Sequence, residues 1–351
     1  MIRVRSVTRV ALGIACLATL VQCRPERHWE HDLTRVSLDV PAHVTSYVGV
    51  ELEEPTRAQV ELGRHLFHDP LLSADGTVSC ASCHLQANGF ADPRPFSEGV
   101  GGGVGDRNAM AIVNLAFDES FFWDGRRSSL AGQAHDPVVH PLEMAESWVN
   151  VEGKLRESET YPQLFFEAFG NLDMDSNQVT QALAAFETTL LSFDAPYDAF
   201  FYEGAMGVLD SSALRGFDLF FGAAECVHCH AGPLLTDQTL KSNGLDGTVT
   251  DPGLGAVTGL DSDLGKFKVP TLRNIAQTAP YMHDGRFASL LEVVEHYNSG
   301  VDSLAPNLDP DMHIYAKGLN LTEQEKLDLV AFMESFSDEG FLTNPAFSAP
   351  Q

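Results

Sequence analysis

Amphipathic stretches, in which apolar residues recur at intervals of three and four, are the most regular pattern along this sequence. One covers residues 56–67, and another covers 211–220, where Asp210 or Ser211 would cap the helix. This spacing places the apolar side chains on one face of a helix. A further capped helix is expected within 174–193. Alternation of apolar and polar residues between turns is weak throughout, so the pattern predicts a mainly α-helical protein.

The order of motifs repeats along the chain. In each half, an amphipathic stretch leads to a cysteine motif, a long glycine-rich loop, an Arg-Asn pair and a turn that begins another helix. The Arg-Asn pairs lie at 107–108 and 273–274. The turns read Trp123-Asp-Gly-Arg126 and His283-Asp-Gly-Arg286. The repetition predicts two helical domains related by internal duplication, each with long Gly-rich loops.

The length of the chain also suggests two domains. The boundary is expected in the glycine-broken stretch 196–209, which gives an N-terminal domain over 46–205 and a C-terminal domain over 206–343. Residues 23–45 and 344–351 are predicted to be loosely held tails, because chain ends are poorly ordered unless they are tied down.

Residues 1–22 have the pattern of an export signal, a basic segment followed by an apolar core that is too short to remain as a membrane-spanning helix. The segment ending at Cys23 resembles a lipoprotein cleavage site, although Gln22 is larger than the residue usually found there. Lipid on Cys23 and cleavage nearby with no anchor both stay open. The predicted location is the periplasm, with the protein either free or anchored as a lipoprotein.

The chain is strongly acidic, with a formal net charge of −27 at pH 7. Residues 1–22 contain three arginines and no acidic residue, so their removal leaves −30. This charge repels nucleic acid, which is therefore excluded as a partner. It suits a basic partner surface, and equally it suits simple solubility.

Two Cys-x-x-Cys-His motifs lie 146 residues apart. Two thiols at this spacing add to the vinyl groups of haem, and the following histidine reaches the iron as its proximal ligand. Two Cys-x-x-Cys pairs could instead form a zinc cluster, but the histidine after each pair argues against it. The motifs predict two covalent c-type haems and hence two cytochrome c-like domains. The attachment residues are Cys80, Cys83 and His84 for the N-terminal haem, and Cys226, Cys229 and His230 for the C-terminal haem.

The two halves differ where a second iron ligand could lie. Tyr297 follows His283 by fourteen residues, whereas Pro137, which cannot ligate iron, follows Trp123 by the same interval. If the two helices lie in equivalent places, the Tyr297 phenolate closes the C-terminal haem and the N-terminal haem stays open to peroxide. His296 is the alternative second ligand, one residue out of the repeat register.

Two polar residues follow Trp123 at intervals of ten and twenty, Gln133 and Glu143. A distal carboxyl group and amide are what heterolytic peroxide cleavage needs. Glu143 would move a proton from the inner to the outer peroxide oxygen, and Gln133 would orient the peroxide. The alternative for Glu143 is a solvated acid in a proline-rich loop.

Several longer motifs are specific enough to indicate a family. They are Leu62-Gly-Arg-x-Leu-Phe67, Arg107-Asn-Ala109, Phe122-Trp-Asp-Gly-Arg126, Glu143-Met144, Phe267-Lys-Val-Pro-Thr-Leu-Arg-Asn274 and Thr278-Ala-Pro-Tyr-Met-His-Asp-Gly-Arg286. Between about Leu62 and about Gly300, the chain resembles the bacterial di-haem cytochrome c peroxidase family, including its MauG branch. The resemblance implies a periplasmic enzyme that reduces hydrogen peroxide at the N-terminal haem. Electrons would enter through the C-terminal haem from a small donor, either a cytochrome c or a copper protein.

The resemblance also implies roles for individual residues. Trp123 would relay electrons between the haems, Glu143 and Gln133 would form the catalytic distal pair, and Pro137 would line the pocket. His283 falls where the family has a histidine near the electron-entry haem.

A calcium ion between the domains is a further implication of the resemblance. Its ligands map onto Asn108, Thr278 and the carbonyl group of Pro280. Oxygen ligands of this kind suit a hard cation.

Two departures from the peroxidase pattern point to the MauG branch. The family's peroxidases carry a histidine in the Gly-rich loop that blocks the N-terminal haem until the other haem is reduced. Here the loop 97–105 contains no histidine, and Val100 stands at that position. The peroxidases also use methionine where this chain has Tyr297, and a phenolate ligand lowers the potential of the iron.

Three functions therefore stay open. The first is a di-haem peroxidase that needs no reductive activation. The second is a MauG-like enzyme that oxidises residues of a partner protein through a high-valent two-haem state. The third is a non-catalytic di-haem electron carrier, which would need both irons six-coordinate. Monomer and homodimer are both compatible with the sequence.

Overall fold

The computed structural model describes residues 29–49 and 52–351, and this part of the chain is mainly helical, as predicted. The predicted export signal and Cys23 lie outside the described residues. Two short strands, β1 (Leu240–Lys241) and β2 (Phe267–Lys268), pair antiparallel. The α-helices are α1 (Ala42–Val48), α2 (Arg57–His68), α3 (Leu130–Val139), α4 (Trp148–Glu157), α5 (Tyr161–Phe169), α6 (Ser176–Thr188), α7 (Pro196–Phe201), α8 (Ser211–Phe221), α9 (Leu254–Thr258), α10 (Leu290–Glu295), α11 (Glu323–Glu334) and α12 (Glu339–Thr343).

Side chains cap the helices that the sequence indicated. The Thr56 hydroxyl accepts a hydrogen bond from the Gln59 backbone at the start of α2, and Asp210 caps α8 through the backbone N–H groups of Ser212 and Ala213. Asp175 caps α6, which ends at Thr188, before the end of the predicted interval. These caps satisfy backbone donors that have no partner within the helix.

Each half is built on one pair of closely packed helices, α2 with α6 and α8 with α11. A glycine lies at each crossing. A Cβ atom at Gly63 would lie 1.9 Å from the carbonyl oxygen of Ala182, and one at Gly216 would lie 1.9 Å from that of Asp328. Because real Cβ atoms do not approach so closely, only glycine allows these two backbones to touch.

The structure does not align the Arg-Asn pair 107–108 with the pair 273–274, contrary to what the repeat of motifs predicted. Asn274 has a left-handed backbone, with φ of 58°, and its N–H donates to the Phe336 carbonyl. Asn114 has the same features, with φ of 56° and an N–H donated to the Leu190 carbonyl, whereas the backbone N–H of Asn108 donates to His283. Asn114, rather than Asn108, is therefore the structural counterpart of Asn274.

A buried polar cluster joins the two halves. The Asn274 side chain donates to the Ser192 hydroxyl at 3.0 Å, and this hydroxyl donates to the Asp338 carboxylate at 3.1 Å. The backbone N–H of Asp338 returns to the Asn274 side chain at 2.8 Å, and the Asn114 amide pairs with the Ser192 backbone. Since these contacts pair the buried groups, the cluster holds the halves in one arrangement.

The C-terminal segment is not the loose tail that the sequence predicted. Phe341 and Phe347 pack on Phe90 of the N-terminal core, with ring centroids 5.5 and 6.4 Å apart. The Arg64 side chain donates to the Ser348 carbonyl at 2.7 Å. The chain end therefore crosses back over the predicted boundary, because the exposed face of the N-terminal core needs an apolar cover.

The described part of the N-terminal tail is also held. Trp29 packs on Phe166, at 6.0 Å between ring centroids. Val44 of α1 is fully buried against Phe117 and Leu234, which belong to different halves. The prediction of a loosely held segment over 23–45 is therefore wrong for residues 29–45.

Replacing Gly63 by alanine should destabilise the haem-loaded protein by about 3 kcal/mol, because the new methyl group overlaps the Ala182 carbonyl. Gly153→Ala is the matched control, since a Cβ there meets nothing within 4 Å in helix α4, and alanine should stabilise that helix by about 0.5–1 kcal/mol. Urea unfolding measures both changes. Equal effects of the two substitutions would contradict the tight crossing.

Candidate functional site

The two Cys-x-x-Cys-His motifs have the same backbone geometry. Each begins with a single 3₁₀ turn, at Cys80–Ser82 and at Cys226–His228. In each, the histidine backbone N–H donates to the carbonyl of the first cysteine, at 2.9 Å for His84 and 3.0 Å for His230. The turn therefore brings both thiols and the imidazole to one side of the backbone.

Both histidines are oriented for iron ligation. His84 Nδ1 lies 2.8 Å from the Phe90 carbonyl oxygen, and His230 Nδ1 lies 3.1 Å from the Leu235 carbonyl oxygen. A carbonyl only accepts, so Nδ1 carries the proton and Nε2 keeps a free lone pair. Burial lowers the pKa of both imidazoles, which keeps them neutral and able to ligate.

The four thiols are free, and burial raises their pKa values, to about 12 for Cys226. Within residues 29–49 and 52–351, no three His, Cys, Asp or Glu side chains are placed to share one metal ion. The four-cysteine zinc cluster is therefore not formed. Buried free thiols beside an oriented imidazole fit two covalent haems.

A largely apolar cavity extends from the second motif. Its walls include Phe220, Leu329 and Met333 beside the two cysteines, and Tyr297 also lines it. Such a lining fits a haem, which needs an apolar surround and an axial ligand.

Tyr297 lies on a π-helical turn, His296–Gly300, that continues α10. Burial raises the pKa of Tyr297 to about 12, and a hydrogen bond from Asn243 offsets part of the rise. His296 is not among the residues that line the cavity, and its Nε2 lies 3.4 Å from the Asn243 carbonyl oxygen. Of the two candidate ligands, Tyr297 therefore lines the cavity beside the second motif, whereas His296 does not.

Trp123 lies at the junction of the two halves and lines the same cavity. Its indole N–H donates to the Asn108 carbonyl at 2.8 Å. Its own carbonyl accepts from the backbone N–H of Lys268, in β2, at 2.8 Å. One hydrogen bond therefore holds the indole and the other holds the Trp123 backbone beside the cavity.

The three predicted calcium ligands also line this cavity, although they come from different halves. The Asn108 amide nitrogen donates to the carbonyls of Arg94 and Pro95, at 3.0 and 3.3 Å. This leaves the Asn108 side-chain oxygen as an acceptor, together with Thr278 and Pro280.

His283 stacks on Phe267, with ring centroids 3.8 Å apart, and burial lowers its pKa. Beside it, the Arg107 guanidinium bridges two carboxylates. It donates to Asp251 at 2.7 and 2.8 Å and to Asp124 at 2.6 Å. Asp251 belongs to the acidic loop 246–263, so its pairing with Arg107 neutralises part of the loop's negative charge within the chain.

Gln133 and Pro137 lie one turn apart on α3, and the loop that follows α3 holds Glu143. The Glu143 backbone N–H donates to the His140 carbonyl at 3.1 Å, and the Glu143 carbonyl accepts from Val100 of the Gly-rich loop at 2.8 Å. The two loops thus fix the Glu143 backbone beside α3.

The Glu143 carboxylate has a neighbour that the sequence did not single out, His140. Its Nδ1 lies 3.3 Å from Glu143 Oε1. Burial raises the pKa of Glu143, while His140 and Arg126 offset part of that rise. Glu143 also raises the pKa values of Cys80 and Cys83, as expected for a group close to the N-terminal haem site.

Known proteins share this architecture. A family model for di-haem cytochrome c peroxidases matches residues 57–206. The methylamine utilization protein MauG of Methylorubrum extorquens is 38% identical over 286 residues, which are 81% of this chain and 79% of that protein. The cytochrome-c peroxidase IdrP1 of Pseudomonas sp. strain SCT is 36% identical over 324 residues, 83% of this chain and 84% of that protein.

A crystal structure of a MauG-like protein associated with microbial copper homeostasis superposes with a TM-score of 0.78. It is 33% identical and covers 90% of this chain and 99% of that one. The helical fold and the paired motifs define a di-haem c-type cytochrome. The chain belongs to the di-haem cytochrome c peroxidase family, an oxidoreductase family with two haem cofactors, as the motifs predicted.

Proposed function

We propose that this protein reduces hydrogen peroxide to water at its N-terminal haem, with electrons passed through the C-terminal haem. The observation that carries the proposal is the asymmetry between two equivalent helices. Both follow a turn with a left-handed residue, Phe122 or Met282, and both begin at a capping serine, Ser129 or Ser289. At the corresponding later positions, one helix has Pro137 and the other has Tyr297.

A haem iron with a vacant position binds peroxide and supplies electrons for cleavage of the O–O bond. The protein's part is to place groups around that position. Glu143 accepts the proton from the inner peroxide oxygen and delivers it to the outer one, which leaves as water. Gln133, on the distal helix, orients the peroxide by hydrogen bonding. Trp123, which lines the C-terminal cavity and donates to Asn108 of the N-terminal half, would relay electrons between the two haems.

A MauG-like reaction on a partner protein is the second candidate. Tyr297 in the C-terminal cavity and Val100 in the Gly-rich loop favour it, and so does the 38% identity with a MauG protein. A phenolate ligand lowers the potential of the C-terminal haem and makes it a poorer acceptor from a small cytochrome. In that case the electrons would come from side chains of the partner.

Proteins of this family are generally periplasmic c-type cytochromes. None of the helices in the described part of the chain is long and apolar enough to cross a membrane. We place the protein in the periplasm, with lipid on Cys23 as a prediction from the sequence alone. Its electron donor is a small cytochrome c or copper protein whose docking surface carries positive charge, because this chain is acidic.

Glu143→Gln should leave both haem spectra unchanged and slow the reaction with peroxide by roughly a hundredfold or more. Stopped-flow mixing measures the peroxide step, and turnover with reduced cytochrome c measures the whole cycle. Glu98→Gln, which changes an exposed carboxylate of the adjacent Gly-rich loop, is the control. An unchanged rate in Glu143→Gln would remove Glu143 from the mechanism. A fast peroxide step without cytochrome turnover would favour the MauG-like reaction.

The rate of the reaction with peroxide should also increase with pH. Partial burial raises the pKa of Glu143, so the carboxylate that accepts the peroxide proton forms at a higher pH than that of an ordinary glutamate. The wild-type rate should therefore rise with pH through this raised pKa, and Glu143→Gln should lack the rise.

Tyr297→Phe should convert the C-terminal haem from low spin to high spin, because phenylalanine offers no ligand atom. Electron paramagnetic resonance of the ferric protein measures the change. His296→Gln is the matched control and should leave the spectrum unaltered. The opposite pattern would make His296 the ligand. A low-spin signal that survives both substitutions would point to Met312, which also lines the cavity.

We further propose a calcium ion between the halves, held by the side-chain oxygens of Asn108 and Thr278 and by the Pro280 carbonyl. Metal analysis of the purified protein should find about one calcium ion per chain, and Asn108→Ala should lose it on dialysis. Asn177→Ala, on the exposed face of α6, should retain it. Calcium content that is unaffected by Asn108→Ala would overturn the assignment.

A further inference from the structure

Glu187, in α6, is buried without a partner. Its side chain is 4% exposed, and Oε2 has no hydrogen-bond partner. Burial alone raises its pKa to about 8. A buried carboxyl group without a partner costs free energy, so such a residue needs an explanation in function.

The helix crossings show which site Glu187 faces. At Gly63 a Cβ would meet Phe186, and at Gly216 it would meet Phe332. Residues 187 and 333 each follow that phenylalanine, so Glu187 is the counterpart of Met333. Met333 lines the C-terminal haem cavity. Glu187 in turn is close enough to Cys80 to raise the pKa of its thiol. Glu187 therefore lies at the N-terminal haem site.

Within the described residues, no ion pair joins Glu187 to the charged groups of the helices packed against α6, which are α2 and α3. Burial is the cause of its raised pKa. The charged groups of these helices are Arg57, Glu61, Arg64, His65 and His68 on α2, and His135 and Asp136 on α3. The titratable neighbour is Cys80, which haem attachment consumes. With haem attached to Cys80, a change in the charge of the iron would act on a carboxyl group that has no ion-pair partner.

We propose that Glu187 couples a proton to the reduction of the N-terminal haem. When one electron enters that haem from the redox donor, the Glu187 carboxylate takes one proton from solvent, and when the electron leaves, the proton returns to solvent. Oxidised haem carries one more positive charge than reduced haem and favours the nearby carboxylate, so reduction favours the protonated acid. The coupling balances charge in an apolar site. The C-terminal haem has Met333 at the equivalent position and therefore lacks this proton coupling.

This inference rests on the two haems but not on peroxide turnover, so it is tested without peroxide. Redox titration of the holoprotein, monitored by absorbance and electron paramagnetic resonance, gives the potential of each haem across a pH series. When one proton accompanies one electron, a tenfold change in proton concentration shifts the reduction potential by about 59 mV. In the wild type, the N-terminal potential should fall with rising pH by up to that amount per pH unit. Glu187→Gln should flatten this dependence and leave the C-terminal potential unchanged.

Haem propionates also titrate and could make a haem potential depend on pH. Two substitutions that exchange the side chains of Glu187 and Met333 therefore serve as controls. Glu187→Met should flatten the N-terminal dependence as Glu187→Gln does. Met333→Glu should introduce a pH dependence at the C-terminal haem. A wild-type slope that survives both Glu187 substitutions would overturn the proposal.

A measurement on the wild type keeps the test independent of variant folding. The reduced-minus-oxidised infrared difference spectrum should show a protonated carboxyl band that appears on reduction. Its presence in the wild type and its loss in either Glu187 variant would support the proposal. Its absence from the wild-type spectrum would overturn the proposal whatever the variants do.

Discussion

Direct contact between two helix backbones is the constraint on which the rest of this structure depends. At Gly63 and Gly216 the neighbouring helix approaches so closely that a single methyl group would overlap a carbonyl oxygen. This contact fixes the distance between the axes of α2 and α6 at their crossing, and likewise that between α8 and α11. It thereby decides which residues face each haem site, and it places residues 187 and 333 at equivalent points.

Two kinds of contact hold the halves together, a buried cluster of hydrogen bonds and the apolar packing of the chain ends. The buried cluster of Asn114, Ser192, Asn274 and Asp338 satisfies its own hydrogen bonds across the boundary. The chain ends add apolar cover, with Phe347 on the N-terminal core and Val44 between the halves. A rigid boundary matters because Trp123 and the predicted calcium ligands lie on it, so it holds them in one arrangement.

Two helix pairs of similar geometry carry different side chains at corresponding positions, which is how one fold could hold two unlike haems. Pro137 and Tyr297 occupy corresponding helix positions, and so do Glu187 and Met333. In the N-terminal half these positions carry a proline and a carboxyl group. In the C-terminal half they carry a phenol and a thioether. The chemistry therefore depends on a few substitutions within a common geometry.

The sequence alone determined the helical class and the family, and it predicts the haem attachment residues, because all three depend on local patterns: intervals of three and four for helix faces, and Cys-x-x-Cys-His for haem. It also separated Tyr297 from Pro137 through the repeat. Only the tertiary structure decided which asparagine matches Asn274, because that depends on φ and on a distant carbonyl. It likewise revealed His140 beside Glu143 and the unpartnered Glu187. Burial and long-range contacts leave no periodic signal in the chain.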